Sequence, residues 1–276
     1  MLNIQLSKGL INNIMINFSN QTALVTGGLG NLGLEICKSF LENDIKNLIV
    51  IDINDKNVGI LQALANSEIN QNLFFIKTDL SDITSAKISI KELLDSIGSL
   101  DIVVNNAAFV GNSKLQNWNV DYLSQSIESW NLALQLNLTV PNEIIKICLD
   151  YLKKSNEPSI LNIGSIYGSS APDWKIYEGT EINNPLAYNV SKAGVIQLTK
   201  YLATYLSRYK IRINTLSPGG IFSNQDPKFV SKYIKETPMG RMATFQEIGQ
   251  IAAALNSNLF SHMTGQNIIV DGGFTL

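Results

Sequence analysis

Thr22-Ala-Leu-Val-Thr26-Gly27-Gly28-Leu29-Gly30-Asn31-Leu32-Gly33 is the stretch that decides the fold. Its first five residues are a short run rich in apolar and β-branched side chains, the pattern of a buried strand. Glycines follow, and beyond them Leu32, Leu34, Ile36, Cys37, Phe40 and Leu41 recur at helical spacing. Strand, glycine-rich turn and helix in that order begin a βαβ unit. Gly27, Gly30 and Gly33 permit a tight turn, backbone approach to a pyrophosphate, and close helix–strand packing. Asn31 and Leu32 lie where the helix start presents free N–H groups and a positive dipole end to phosphates. A glycine-rich loop alone is weak evidence; in this context it reads as a dinucleotide site.

Working outward, Asn47-Leu-Ile-Val-Ile51 reads as a second strand and ends in Asp52, 52 − 33 = 19 residues past the last glycine. An acid there accepts hydrogen bonds from ribose hydroxyls and repels a 2′-phosphate. Leu29 and Asn31 are not basic, so NAD is the expected cofactor. Asp52 also fits a strand-end turn, and Lys56 downstream keeps NADP as the alternative. Further strands are expected at 73–76, 100–104, 159–163, 212–216 and 267–270, with helices at 58–64, 83–97 and 188–209. A long helical stretch over 127–152 is crossed by Pro141, which predicts a break or kink. Short strands, apolar on both faces and alternating with helices, specify an α/β fold. The expectation is a Rossmann-type doubly wound parallel sheet in three layers, with ligands at the strand carboxyl ends. No linker or repeat divides the chain, so residues 21–276 read as one domain and residues 1–20 as a disordered or loosely docked extension.

The bulk numbers exclude several classes. With 45% hydrophobic and 16% charged residues, the 276-residue chain can bury a large core. Twenty-one basic against twenty-three acidic residues give a net charge of −2, without the basic field that draws nucleic acid or anionic lipid. No run reaches membrane-spanning length, and residues 1–20 lack the order of a secretion signal, so a cytoplasmic location is expected. Cys37 and Cys148 sit in apolar stretches and read as small buried hydrophobes. A single histidine, His262, leaves no His/Cys metal cluster.

The chemistry gathers at Pro185-Leu-Ala-Tyr188-Asn-Val-Ser-Lys192-Ala-Gly, where 192 − 188 = 4 puts Tyr188 and Lys192 on one helix face. A free phenol has a pKa of about 10. An ammonium one turn away favours the phenolate and moves Tyr188 toward useful acid/base strength. By itself, the same spacing occurs on solvated helix faces.

Taken in order, the glycine loop, Asp79-Leu80, Asn105-Asn-Ala-Ala108, Asn137, Ser165, Tyr188-x-x-x-Lys192, Pro218-Gly219 and Gly265-Gln-Asn-Ile-Ile-Val-Asp-Gly-Gly273 resemble the short-chain dehydrogenase/reductase family. The resemblance covers residues 20–276. It implies that Tyr188 is the acid/base for a substrate hydroxyl or carbonyl and that Lys192 lowers its pKa and hydrogen-bonds the nicotinamide ribose. It further implies that Ser165 polarises the substrate oxygen and that Asn137 holds a water linking Lys192 to solvent. Asp79 and Leu80 would border the adenine, Asn106 and Ala107 the adjacent ribose, Ile221 the carboxamide, and Ser223 the phosphates. In the family, helices matching 127–152 and 188–209 pack against a partner chain. With Leu198, Tyr201, Leu202, Tyr205 and Leu206 this implies a homodimer or homotetramer, although such apolar helices also serve as core.

Two features depart from the family's single-domain pattern. The glycines run TGxxGxxG, whereas the usual spacing would place glycine at Asn31. The gap from Ser165 to Tyr188 is longer than usual, which puts an inserted piece, 172–185, at the mouth of the site. Its Asp173, Trp174, Lys175, Tyr177 and Glu178 suit stacking on and hydrogen-bonding a polyhydroxylated ligand, with Trp174 and Tyr177 as the candidate substrate residues. A plain surface loop is the alternative. Ser165-Ile-Tyr-Gly168, the insert and Ser217-Pro-Gly-Gly-Ile-Phe222 together resemble a bacterial subgroup linked to surface-sugar and flagellin-glycan (nonulosonic acid) pathways. The expected activity is NAD(P)-dependent interconversion of a secondary alcohol and a ketone, on a small-molecule substrate that is a carbohydrate. The alternatives are an oxoacyl-thioester or small-alcohol reductase and a non-catalytic dinucleotide-binding sensor.

Overall fold

The central strands are buried on both faces, as their unbroken apolar runs require. In the computed structural model, which describes residues 16–109 and 117–276, the strands are β1 (Thr22–Thr26), β2 (Asn47–Asp52), β3 (Asn72–Lys77), β4 (Ile102–Asn105), β5 (Ser159–Ile163), β6 (Arg212–Pro218) and β7 (Asn267–Val270). The helices are α1 (Asn31–Glu42), α2 (Val58–Leu64), α3 (Ile83–Ile97), α4 (Ile127–Leu134), α5 (Val140–Leu152), α6 (Leu186–Leu206), α7 (Pro227–Glu236) and α8 (Phe245–Asn256). The strands form one parallel sheet in the order β3-β2-β1-β4-β5-β6-β7.

Alternation along each strand divides the core. Ala23, Val25, Leu48, Val50, Ile102, Val104 and Leu161 pack on one face, with Ile36, Cys37 and Phe40 of α1 and Ile248 and Ala252 of α8. Leu24, Ile49, Val103, Ile160 and Ile213 point to the other face, toward Ile90 of α3, Ile144 and Cys148 of α5 and Leu206 of α6. The result is the expected three-layer, doubly wound sheet. The chain leaves β1 toward β2 and β3, then returns to β4 on the other side, so the crevice opens between the carboxyl ends of β1 and β4.

Pro141 breaks the long helical stretch as expected. It occupies the first turn of α5, and residues Gln135–Thr139 before it form a π-helical turn. Asn137 sits in that turn, four residues ahead of a proline that has no N–H to give its carbonyl. α7 and α8 were not foreseen, although both are marked by caps. Asp226 accepts the Lys228 N–H ahead of Pro227, and Thr244 with Glu247 forms a capping box. Of the expected extension, residues 1–15 lie outside the described residues. Within residues 16–20, Phe18 is buried edge-on to Phe40 at 5.2 Å between ring centres.

Candidate active site

The glycine loop leaves β1 at the crevice. Gly27 has φ +62°, a left-handed conformation, and a Cβ there would lie 2.8 Å from the Cα of Ala107. A Cβ on Gly33 would lie 2.0 Å from the Gly27 carbonyl oxygen, so the loop closes only without side chains at both positions. Gly30 is the N-cap of α1 and supplies no capping side chain, and the first turn holds no acid. The leading N–H groups of Asn31, Leu32 and Gly33 thus lie at an uncapped positive helix end, an anion cradle of the kind a pyrophosphate fits.

Asp52 ends β2 beside this loop and is 7% exposed. One carboxylate oxygen accepts the Leu29 N–H at 2.9 Å, and the other accepts the backbone and side-chain N–H groups of Asn54 at 3.2 and 3.0 Å. Asn57, unremarked in the sequence, donates to the Leu29 carbonyl at 2.8 Å. Asp79 is exposed past the end of β3 and accepts the Ser81 N–H, while the Leu80 side chain is buried in the core. Asn106 donates to the carbonyls of Thr26 and Gly27 at 3.1 and 2.9 Å, and the Ala107 N–H donates to the Thr26 hydroxyl at 3.1 Å. These two residues fasten the end of β4 to the glycine loop.

The expected catalytic residues converge from three elements. Ser165, just past β5, is 6% exposed and its hydroxyl accepts the Tyr167 N–H at 3.2 Å. It also lies close enough to the Tyr188 hydroxyl to favour the phenolate. Lys192 lies one turn along α6 from Tyr188, 3% exposed, with Nζ 2.7 Å from the Ile163 carbonyl and 5.6 Å from the centre of the Tyr188 ring. Asn137 is buried; its side chain accepts the Phe109 N–H at 2.7 Å and donates to the Ser191 hydroxyl at 3.1 Å.

Burial pulls the Lys192 ammonium down to about 8. Burial also pushes the Tyr188 phenol up; the Ser165 hydroxyl acts against that rise and the nearby Tyr177 adds to it. The sequence led us to expect Lys192 to draw Tyr188 down. Instead, withdrawal from water governs both groups, and the lysine turns its ammonium to a backbone carbonyl.

The insert 172–185 is also different from a free loop. Lys232 of α7 donates to the carbonyls of Lys175 and Glu178 at 2.9 and 2.6 Å, docking the insert on that helix. Trp174 is 56% exposed and lines a groove of about 330 Å³ with Tyr167, Pro172, Asn184, Asn189 and Val190. Tyr177 is 8% exposed, its ring centre 5.4 Å from that of Phe229. Its hydroxyl is paired with that of Tyr167 at 2.5 Å and accepts from Asn184 at 3.0 Å. Tyr177 thus builds the wall, where the sequence suggested an open stacking face. A buried partner on α7 could not be anticipated without that helix.

Ile221 and Ser223 follow the carboxyl end of β6, the strand that pairs with β5 ahead of Ser165. Gln225 donates to the Ile221 carbonyl at 2.7 Å and accepts the Ser223 N–H at 2.8 Å. Gln225 and Tyr233, which contacts this segment, carry no motif of their own; the turn-forming Ser223-Asn-Gln-Asp226 is the available signal. No helix among the described residues is long and apolar enough to cross a membrane.

Comparison with known proteins agrees with this geometry. The family model that matches, over residues 28–275, is described as enoyl-(acyl carrier protein) reductase. The chain is 32% identical to post-translational flagellin modification protein A of Campylobacter coli, over 93% of this chain and 99% of that one. It is 29% identical to the 3-oxoacyl-[acyl-carrier-protein] reductase of Chlamydia pneumoniae, over 94% and 99% of the two chains. The crystal structure of a short chain dehydrogenase from Leptospira borgpetersenii with bound NAD+ superposes with a TM-score of 0.83, at 32% identity, covering 97% of this chain and 98% of that one. The chain therefore belongs to the short-chain dehydrogenase/reductase family of oxidoreductases.

Proposed function

We propose that this oxidoreductase uses NAD to interconvert a secondary alcohol and a ketone on a sugar or sugar phosphate of a surface-glycan pathway. The observation that carries the reading is the meeting of Ser165, Tyr188 and Lys192 at the strand carboxyl ends, across the crevice from the uncapped start of α1. When bound, the nicotinamide accepts or returns a hydride. The chain's own residues do the rest. Tyr188 exchanges a proton with the substrate oxygen, and Ser165 hydrogen-bonds that oxygen and the phenol. Lys192 steadies the phenolate and the nicotinamide ribose. Asn137 holds a water that leads from Lys192 to solvent. Gly27, Gly30, Asn31 and Leu32 take the pyrophosphate; Asp52, Asp79, Leu80, Asn106 and Ala107 line the adenosine side; Ile221 and Ser223 line the nicotinamide side. The buried Asp52 carboxylate at the end of β2 disfavours a 2′-phosphate, which supports NAD over NADP.

Two things support a carbohydrate: the similarity to a flagellin modification protein, and an insert that sets exposed Trp174 among Asn184, Asn189 and Ser170. One observation favours a second reading, an oxoacyl-thioester reductase: Ala171, Pro172, Leu186, Val190 and Ala193 make much of the same groove apolar. Buried, free Cys37 and Cys148 fit a reducing cytoplasm. The exposed apolar side of α6 supports a homodimer or homotetramer.

The test follows absorbance of the reduced nicotinamide with NAD or NADP and a panel of sugars, sugar phosphates, nucleotide sugars and an oxoacyl thioester. Turnover on a sugar is expected with NAD preferred. Tyr188→Phe should lower kcat by about 10²–10⁴-fold while leaving the Kd for NADH within about threefold. A Tyr188→Phe enzyme with most of its turnover would remove Tyr188 from its role.

A further inference from the structure

The segment 219–223 follows β6, whose Leu216 carbonyl accepts the Gly164 N–H at 2.7 Å just past β5, so it leaves the sheet on the β5 side of the crevice. In the sheet order, this places it on the reaction side of the crevice, with Asp52 and Asp79 on the opposite, adenosine side. Its backbone is held from outside the crevice. The Gly219 N–H donates to the Val270 carbonyl at 2.9 Å, the Ala243 N–H to the Gly220 carbonyl at 3.0 Å, and the Gly220 N–H to the Tyr233 hydroxyl at 2.6 Å.

Tyr233 leaves this segment no latitude. A Cβ on Gly220 would lie 2.7 Å from Cζ of Tyr233, and one on Gly219 would lie 2.9 Å from its hydroxyl oxygen. The tyrosine is 2% exposed and is itself fixed on both sides. Phe274 stacks parallel on it with ring centres 4.2 Å apart, and Phe229 packs from α7 at 5.9 Å. Phe274 is held in turn by Asp271, which accepts the Gly273 and Thr275 N–H groups at 2.8 and 2.9 Å and the Thr275 hydroxyl at 2.7 Å. A chain of contacts thus runs from the last residues through one aromatic ring to a single N–H at the reaction side of the crevice.

We propose that Tyr233 is a positioning residue that holds segment 219–223 against the nicotinamide end of the bound dinucleotide and leaves the adenosine end untouched. The proposal rests on the dinucleotide reading above. Because Tyr233 touches only the reaction side, its loss should be felt by a ligand that has a nicotinamide and ignored by one that stops at the ribose.

Isothermal titration of NADH and of ADP-ribose into wild type, Tyr233→Phe and Gly220→Ala tests this, with thermal midpoints measured in parallel. Tyr233→Phe keeps the ring stack and removes only the acceptor for the Gly220 N–H. It should weaken NADH by about three- to tenfold, the worth of one hydrogen bond, with ADP-ribose unchanged. Gly220→Ala displaces the same segment through the Tyr233 ring and should give the same split. Equal weakening of both ligands, or none of either, would overturn the proposal. Wild type that binds neither ligand would instead overturn the dinucleotide reading beneath it.

Discussion

Lys192, proposed above to serve the chemistry, sits in the fold at a cost in stability. Its ammonium is 3% exposed and has one carbonyl partner, so the folded chain carries a poorly compensated charge whose pKa burial draws down to about 8. Between about 8 and the ordinary lysine value near 10.4, the unfolded chain holds a proton that the folded chain has released. Unfolding there takes up protons, so the contribution of Lys192 to stability becomes more favourable as pH rises through that window. Lys192→Met should therefore raise the thermal midpoint at pH 7, and the gain should shrink as pH climbs from 8 to 10 while turnover is lost throughout. A variant melting at or below wild type at pH 7 would mean that the charge is better compensated than these contacts indicate. The pairing itself was legible, since four residues on a helix is a geometric fact. The burial was not legible, because it depends on β5 and the turn after Ser165 closing over the side chain.

At the scale of elements, the sequence carried the parts with strong periodicity and missed those held by contacts. β1, the glycine loop, α1 and β2 were readable because strand, turn and helix each leave a local pattern. α7 was not seen: its ten residues are short and polar on one side, and only Asp226-Pro227 announces it. The burial of Tyr177 was hidden for that reason, because the aromatic packed against it is Phe229 on the unseen helix. The insert and α7 now form one wall, fastened by the ammonium of Lys232 on two insert carbonyls. Lys232→Met removes both bonds while sparing the aromatic packing. Losing about 1 kcal/mol locally should open the insert about fivefold more often. Trypsin should then cleave after exposed Lys175 correspondingly faster, with the global thermal midpoint lowered by no more than about 2–4 °C. Cleavage at the wild-type rate would mean that the aromatic cluster alone holds the insert.

At the scale of the molecule, the sheet order separates the two ends of the crevice, and the outer helices face whatever lies beyond the chain. α6 contributes to both. Its Lys192, Val195, Ala203 and Leu206 are buried inward, and its opposite side exposes Val190 and Leu186 at 40% each, Tyr205 at 40% and Tyr201 at 64%. Ile127, at the start of α4, adds a further exposed apolar side chain, at 62%. The sequence showed apolar residues around most of this helix but could not assign sides; the structure sends Leu202 and Leu206 to the core and leaves Tyr201 and Tyr205 outside. A strip of that length along a helix needs cover, and a second copy of the same helix offers a matching surface in an isologous pair. Light scattering should therefore give wild type a mass of two or four times 30.4 kDa. Tyr201→Glu combined with Tyr205→Glu places charge within the strip at exposed positions outside the groove, so it should shift the mass to one chain without unfolding it. A wild-type mass of one chain would sink the idea, and so would a double variant that stays assembled, since charge buried without a partner is incompatible with that contact.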